Sequence, residues 1–387
     1  MTRMITLIDP VVKDYLLYNS RWRSPVSKAI LLGIMVVVSV LACFGLYATN
    51  NPFSVWLWVP YAAAGSILGY FLLAFLDRER RVRFFHFLTI TSVVFITAPA
   101  AAFFNDRSPF PRVTVGFVEE GLKILPVLLL AIYIPNLIRT RKDGIVYGAL
   151  AGMGFNVIEI GAYIADLIHK SPVLDVMVQQ STRFGLWGLG THIIWSAFIG
   201  MGIGFAAEST QRRWHKWKRF VLFYLLIAVM HSAYDLGLLI VGMMLIASAV
   251  AFLRGIPVDL SSTSQMYSPI WEGMRYGAYI YNIVLIIILV VQIRRSFRLE
   301  NRLQAAELST EELTVVPEEE LKKVMSERLF FKRKYQNFPK ALGSKMVLYQ
   351  NLLAMQKHTA TQFGLRIDEV EPVSRLRNAI RSLRTNH

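Results

Sequence analysis

The sequence predicts an all-α, polytopic membrane bundle of about eight transmembrane helices, and three observations carry that prediction. Hydrophobic residues make up 54% of the 387 positions and charged residues only 18%. That balance fits a membrane protein and excludes an ordinary soluble domain. Apolar runs of spanning length recur at about 29–48, 55–76, 84–104, 113–138, 144–166, 186–206, 220–241 and 275–293. Finally, the basic residues gather in alternate connections between these runs.

The elements follow in order. Residues 1–28 form a basic N-terminal segment carrying Arg3, Lys13, Arg21, Arg23 and Lys28, without the short apolar core of a cleavable signal peptide. The first span holds the single cysteine, Cys43, which reads as a small core residue; redox chemistry is not expected. The following loops carry Arg78, Arg80, Arg81 and Arg83, then Arg139, Arg141 and Lys142, then Arg212, Arg213, Lys216, Lys218 and Arg219. The opposite side holds only Arg107, Arg112, Lys170, Arg183, Arg254 and Arg275. By the positive-inside rule both termini are cytoplasmic. The net charge of +16 is then mostly topology plus attraction to anionic lipid at the cytoplasmic face, and no nucleic-acid partner is needed to explain it.

Residues 220–253 are almost continuously apolar, too long for one perpendicular helix. Two full crossings would put the basic 294–298 cluster outside, so one crossing is expected, with Met243–Phe252 tilted or lying in the outer interface. The transmembrane bundle therefore covers 29–293. Residues 294–387 form a basic, helical cytoplasmic tail. In it Ser309 or Thr310 can cap a short helix, and Pro317 opens a helix to about Tyr335. Another runs over 342–358, and Pro372 opens the last. No catalytic motif appears in the tail, which suits a lipid-facing appendage or a site for a cytoplasmic partner.

Against this apolar background, Glu119, Glu120 and Lys123 occupy one helical turn of the fourth span. An ionisable group at the centre of a membrane helix costs roughly 2.5–3.5 kcal/mol. Such groups persist where they pair, face water or do chemistry. Glu159, His192, His231 and Asp235 lie in the next three spans. With the N-terminus inside, all four helices place these groups at one level in the outer half of the bilayer, which favours one shared site. Lys123 is i,i+4 from Glu119 and i,i+3 from Glu120, so it reaches either carboxylate. His231 and Asp235 are i,i+4, a spacing in which a carboxylate orients an imidazole or both ligate a metal. The fifth and sixth spans are rich in glycine, which lets helices approach closely.

These residues resemble the PrsW family of intramembrane proteases. Glu119-Glu120-Gly-Leu-Lys123 matches its EExxK motif, and Phe155-Asn-Val-Ile-Glu159 its FxxxE motif. His192 fits the isolated histidine, and His231-Ser-Ala-Tyr-Asp235 the closing HxxxD. The resemblance covers about residues 110–240. It is related to the CAAX-prenyl endopeptidases and bacteriocin-immunity-type membrane proteins. It implies an integral cell (inner) membrane endopeptidase cutting a single-pass or membrane-associated protein near the extracytoplasmic face, for instance an anti-sigma factor.

Hydrolysis needs a base for water and positive charge or donors for the oxyanion. The residues leave two mechanisms open. Glu119 or Glu120 activates water while Glu159, His192 and His231 position it or hold a divalent metal such as zinc. Alternatively no metal is present, a glutamate is the base, and His192, His231 and Asn156 bind water and oxyanion. Other function classes also use buried Glu, His, Asp and Lys. A proton- or ion-coupled transporter is one, although no inverted repeat is evident. A catalytically inactive membrane scaffold is another.

Overall fold

In the computed structural model the described residues are 52–77, 83–168, 176, 182–185, 187–208, 217–236, 263–326, 339–362 and 366–385. The N-terminal segment, the first span with Cys43, the Met243–Phe252 stretch and the region around Tyr335 lie outside them. The described elements are all helical: α1 Pro52–Leu76, α2 Arg83–Arg107, α3 Pro111–Tyr133, α4 Arg141–Leu167, α5 Thr191–Glu208, α6 Lys218–Asp235, α7 Thr263–Leu308, α8 Glu318–Ser326, α9 Lys340–Gln362 and α10 Glu371–Thr385. By length and composition α1 from Val55, α2 and α4 are apolar and long enough to cross a membrane.

Helix ends depart from the expected runs for local reasons. The α3 helix stops at Tyr133, not at 138, because Pro135 disfavours helical backbone at Ile134, which adopts φ −128° and ψ 68°. Helix α5 starts at Thr191, not at 186, because the preceding chain turns through positive φ at Gly185, Trp187 and Gly188. Glycine takes that conformation without a Cβ clash. In α2, Pro99 cannot donate to the carbonyl four residues back, and the helix widens into a π turn at Val93–Thr97. The α4 helix begins at a capping box, in which Thr140 accepts from the Asp143 amide and Asp143 accepts from the Thr140 amide.

Helix α4 is the centre of the bundle and packs most extensively on α5 and α1. Glycines decide how close α5 comes. A methyl group added at Gly144, Gly148 or Gly152 would lie 2.1, 2.2 or 2.4 Å from the carbonyl oxygens of Gly200, Ser196 and His192. Those contacts leave no room for any side chain and fix the rotation of one helix about the other. Similarly, α6 seats on α3 where a methyl at Gly116 would lie 2.1 Å from the Ala228 oxygen. There Ser232 Oγ accepts from the Gly116 amide at 3.2 Å and donates to the Val113 oxygen at 2.7 Å. The 182–188 turn is pinned to α1 by the Phe184 ring against Gly65 and the Gly188 carbonyl against Gly69.

The α7 helix runs unbroken through residue 294, so the boundary expected there is not a break in the chain's structure. Lys142 ties it to the start of α4, through its amide to Ser296 Oγ (3.1 Å) and its ammonium to Glu300 (2.8 Å). Beyond, α7, α9 and α10 pack around Val315, Val316, Met346, Leu353, Val373, Leu376 and Ile380, all buried. Within this polar-faced unit Glu311 accepts from the buried Lys357 and from Arg377 at 2.8 and 2.9 Å. Burial pushes the Glu311 carboxyl up, but the hydrogen bonds from Arg377 and Lys357 win and hold it below its ordinary value of 4.5. Its stabilisation is therefore full above about that pH and is lost as pH falls through the lower folded value. Hydrogen exchange of α9 and α10 in the full-length protein checks this. Wild type should be better protected than Glu311→Gln at neutral pH, and the difference should vanish on acidification; a difference independent of pH refutes it.

Candidate active site

Six ionisable groups, Glu119, Glu120, Lys123, Glu159, His192 and His231, form one connected cluster. Helix α3 presents Glu119, Glu120 and Lys123 on its inward face, as the i,i+3 and i,i+4 spacing requires. Lys123 Nζ lies 2.8 Å from Glu120 Oε1, 3.3 Å from Glu119 Oε2 and 2.9 Å from His192 Nδ1. It also sits 3.9 Å from the centre of the Phe155 ring, which supplies a cation–π face.

Two imidazole tautomers follow from these partners. An ammonium only donates, so His192 Nδ1 accepts, and Nε2 carries the proton that faces Glu159 Oε2 at 2.8 Å. His231 Nδ1 donates to Glu120 Oε1 at 3.0 Å. Its Nε2 lies 3.7 Å from both Glu119 Oε2 and Asp235 Oδ2.

The two neighbouring glutamates are therefore unlike. Glu120 is fully buried and has both oxygens engaged, by Lys123, His231 and the Ser196 hydroxyl at 3.4 Å. Glu119 is held through Oε1 by the Asn105 amide at 3.0 Å, and its Oε2 lies between Lys123 Nζ and His231 Nε2. Glu159 stands behind His192 and shares Oε2 with Arg183 at 3.0 Å. Asp235 is the most exposed of the set. Asn156 is buried on α4 between Phe155 and Glu159, with neither amide atom hydrogen-bonded.

Several neighbours carry no motif in the sequence. Arg183 was visible only as one of the few cations on the basic-poor side, and Ser196 only as the residue one turn after His192. The Trp195 ring packs on both histidines, with centroids 5.5 Å from His192 and 4.7 Å from His231. Its Nε1 donates to Tyr281 on α7 at 3.0 Å. That contact joins residues 86 apart and has no sequence signal.

A helical membrane bundle that buries carboxylates, imidazoles and an ammonium in one hydrogen-bonded cluster has the equipment of a membrane-embedded hydrolase. The family model described as PrsW family intramembrane metalloprotease matches residues 56–258, just over half of the chain. The chain belongs to that family and is a membrane-embedded protease. No curated protein and no solved structure matches it.

The residues fit a divalent cation. One ligand atom each from Glu119, His192 and His231 lies within 4.8 Å of the others. Carboxylate plus two imidazoles is a donor set that zinc accepts. Among the described residues four carboxylates (Glu119, Glu120, Glu159, Asp235) and two fixed cations, Lys123 and Arg183, surround it. His192 would ligate through Nδ1, which here accepts from the Lys123 ammonium at 2.9 Å, so a bound cation has to displace that hydrogen bond; Glu159 stands against the other nitrogen, where a carboxylate orients an imidazole.

Proposed function

We propose that this protein hydrolyses a peptide bond of a single-pass or membrane-associated protein near the extracytoplasmic face of the cell membrane. The observation that carries the reading is the convergence of Glu119, His192 and His231 on one point within a protease family's matched region. The charge distribution of the loops supports eight spans with both termini cytoplasmic, a 29–293 bundle and a 294–387 tail that meets anionic lipid or a cytoplasmic partner. An anti-sigma-factor-like regulator suits this placement as substrate.

Within the cluster Glu119 is the base that takes the proton of the attacking water. It is the less buried of the paired glutamates, and its Oε2 faces the open side of His231. Glu120 is the fixed counter-ion of Lys123 and holds the His231 tautomer. Glu159 and Arg183 hold His192 in place, and Asp235 faces the outer nitrogen of His231. In a zinc-loaded form Glu119 would be a ligand and not the base: with His192 and His231 it would hold the ion, which would supply an acidified water and polarise the carbonyl.

Two measurements test this. Protein N-termini near membrane boundaries should be present in cells expressing wild type and missing with Glu119→Gln at matched protein level; identical fragment profiles under several envelope stresses would sink the protease assignment of these residues. Purified protein should carry about one equivalent of zinc. His231→Ala should lose it, and chelation should remove turnover. Full activity in metal-free protein excludes the zinc assignment and leaves the glutamate mechanism.

A further inference from the structure

The most anomalous polar group in the bundle is Asn156. It is 1% exposed, yet neither Oδ1 nor Nδ2 has a hydrogen-bond partner. Buried polar groups are nearly always paired, and the exceptions call for an explanation. Asn156 continues a stripe. Gly144, Gly148 and Gly152 step along α4 at four-residue intervals, and each meets a backbone carbonyl of α5. Asn156 is the next step, at the level where α5 ends.

What it meets there is Gly190, the residue before α5. A Gly190 Cβ would stand 3.6 Å from Asn156 Nδ2 and 2.1 Å from the Arg183 oxygen, so only glycine lets the amide, the Arg183 carbonyl and the start of α5 come together. The Gly190 oxygen accepts from the amides of Ile193 and Ile194. The first amides of an α-helix have no acceptor within the helix, and that end carries partial positive charge. A side-chain amide and a helix N-terminus thus lie side by side. On either side of Asn156, Phe155 lies under the Lys123 ammonium and Glu159 holds His192.

The geometry points to Asn156 as the donor that holds the carbonyl oxygen of the scissile peptide bond, aided by the positive end of α5. The inference rests on the proteolytic reading of the cluster. As the water oxygen bonds to the carbonyl carbon, its proton passes to Glu119 and the C=O π pair moves onto the carbonyl oxygen. Asn156 Nδ2–H donates to that oxygen as its charge grows. When the C–N bond breaks, the pair returns to the carbonyl and the amine nitrogen takes the proton held by Glu119, which regains its charge. An amide unpaired in the resting protein is a donor already desolvated, with no hydrogen bond to give up when charge develops.

The sign of two effects separates this role from a structural one. A buried polar group that makes no hydrogen bond loses none when replaced by an apolar side chain of similar shape. Full-length protein in lipid nanodiscs is assayed on a synthetic transmembrane peptide carrying the sequence cut in wild-type cells. Asn156→Leu should lower kcat by about 10²–10³-fold, the scale of losing one such donor, with KM nearly unchanged. Its unfolding temperature should equal or exceed that of wild type. Asn156→Ala, which cannot overpack the site, should show the same fall in kcat. Wild-type kcat in either folded variant overturns the inference. So does a loss of activity that tracks a loss of stability, the mark of a structural water site. Loss of cleavage in Glu119→Gln alongside wild-type turnover in Asn156→Leu defeats this inference alone. An inactive wild type, or cleavage surviving Glu119→Gln, defeats the proteolytic reading itself.

Discussion

Glu119→Gln is expected to lower kcat by roughly 10²–10⁴-fold, the range for loss of a positioned general base, while the protein folds and inserts as wild type does. The substitution keeps size and shape. The Asn105 amide still finds an acceptor in the glutamine oxygen, and Lys123 retains Glu120 at 2.8 Å as its main counter-ion. Glu120→Gln should behave differently. It takes the charge from a fully buried position that receives Lys123, His231 and Ser196 together, so it should lower stability as well as turnover. Comparing kcat and unfolding temperature for the two variants in one membrane mimetic distinguishes base from counter-ion. Equal losses of both quantities would contradict the division of roles.

The largest stability effect is expected at Lys123. Its ammonium is wholly buried and contacts both carboxylates, His192 and the Phe155 ring. Lys123→Met keeps the volume but strands two buried carboxylates on adjacent residues. Breaking a buried pair by removing one partner typically costs about 3–5 kcal/mol. The same change also removes the donor that fixes the His192 tautomer, so any folded fraction should turn over slowly. Thermal unfolding in detergent measures the first effect. The double variant Lys123→Met with Glu120→Gln should recover part of the lost stability, because one stranded charge is gone. A single variant as stable as wild type would show that Lys123 is not what compensates the buried carboxylates.

Much of this site was legible in the sequence because its motifs lie within single helices. The helical period alone puts Lys123 beside both glutamates and Asp235 one turn from His231. The spacing of the glycines in the fifth and sixth spans announced a close helix pair, and Gly144, Gly148 and Gly152 do meet α5 at its backbone. Less was legible where partners come from distant segments or from turns. Arg183 reaches Glu159 only because Phe184 and Gly188 pin its turn against α1. Tyr281 reaches Trp195 from a helix beyond the family-matched residues.

The sequence by itself determined the membrane class and the four motifs, since hydropathy sets the apolar runs and the period of 3.6 sets each helix's faces. Only the tertiary structure decided which glutamate is engaged on every side and which keeps an oxygen toward His231. It also decided that Glu159 stands behind His192 and that the Asn156 amide is left unpaired. Those outcomes depend on how each helix is rotated against its neighbours. Carbonyl oxygens pressed against glycines set that rotation, and no residue spacing within one helix encodes it.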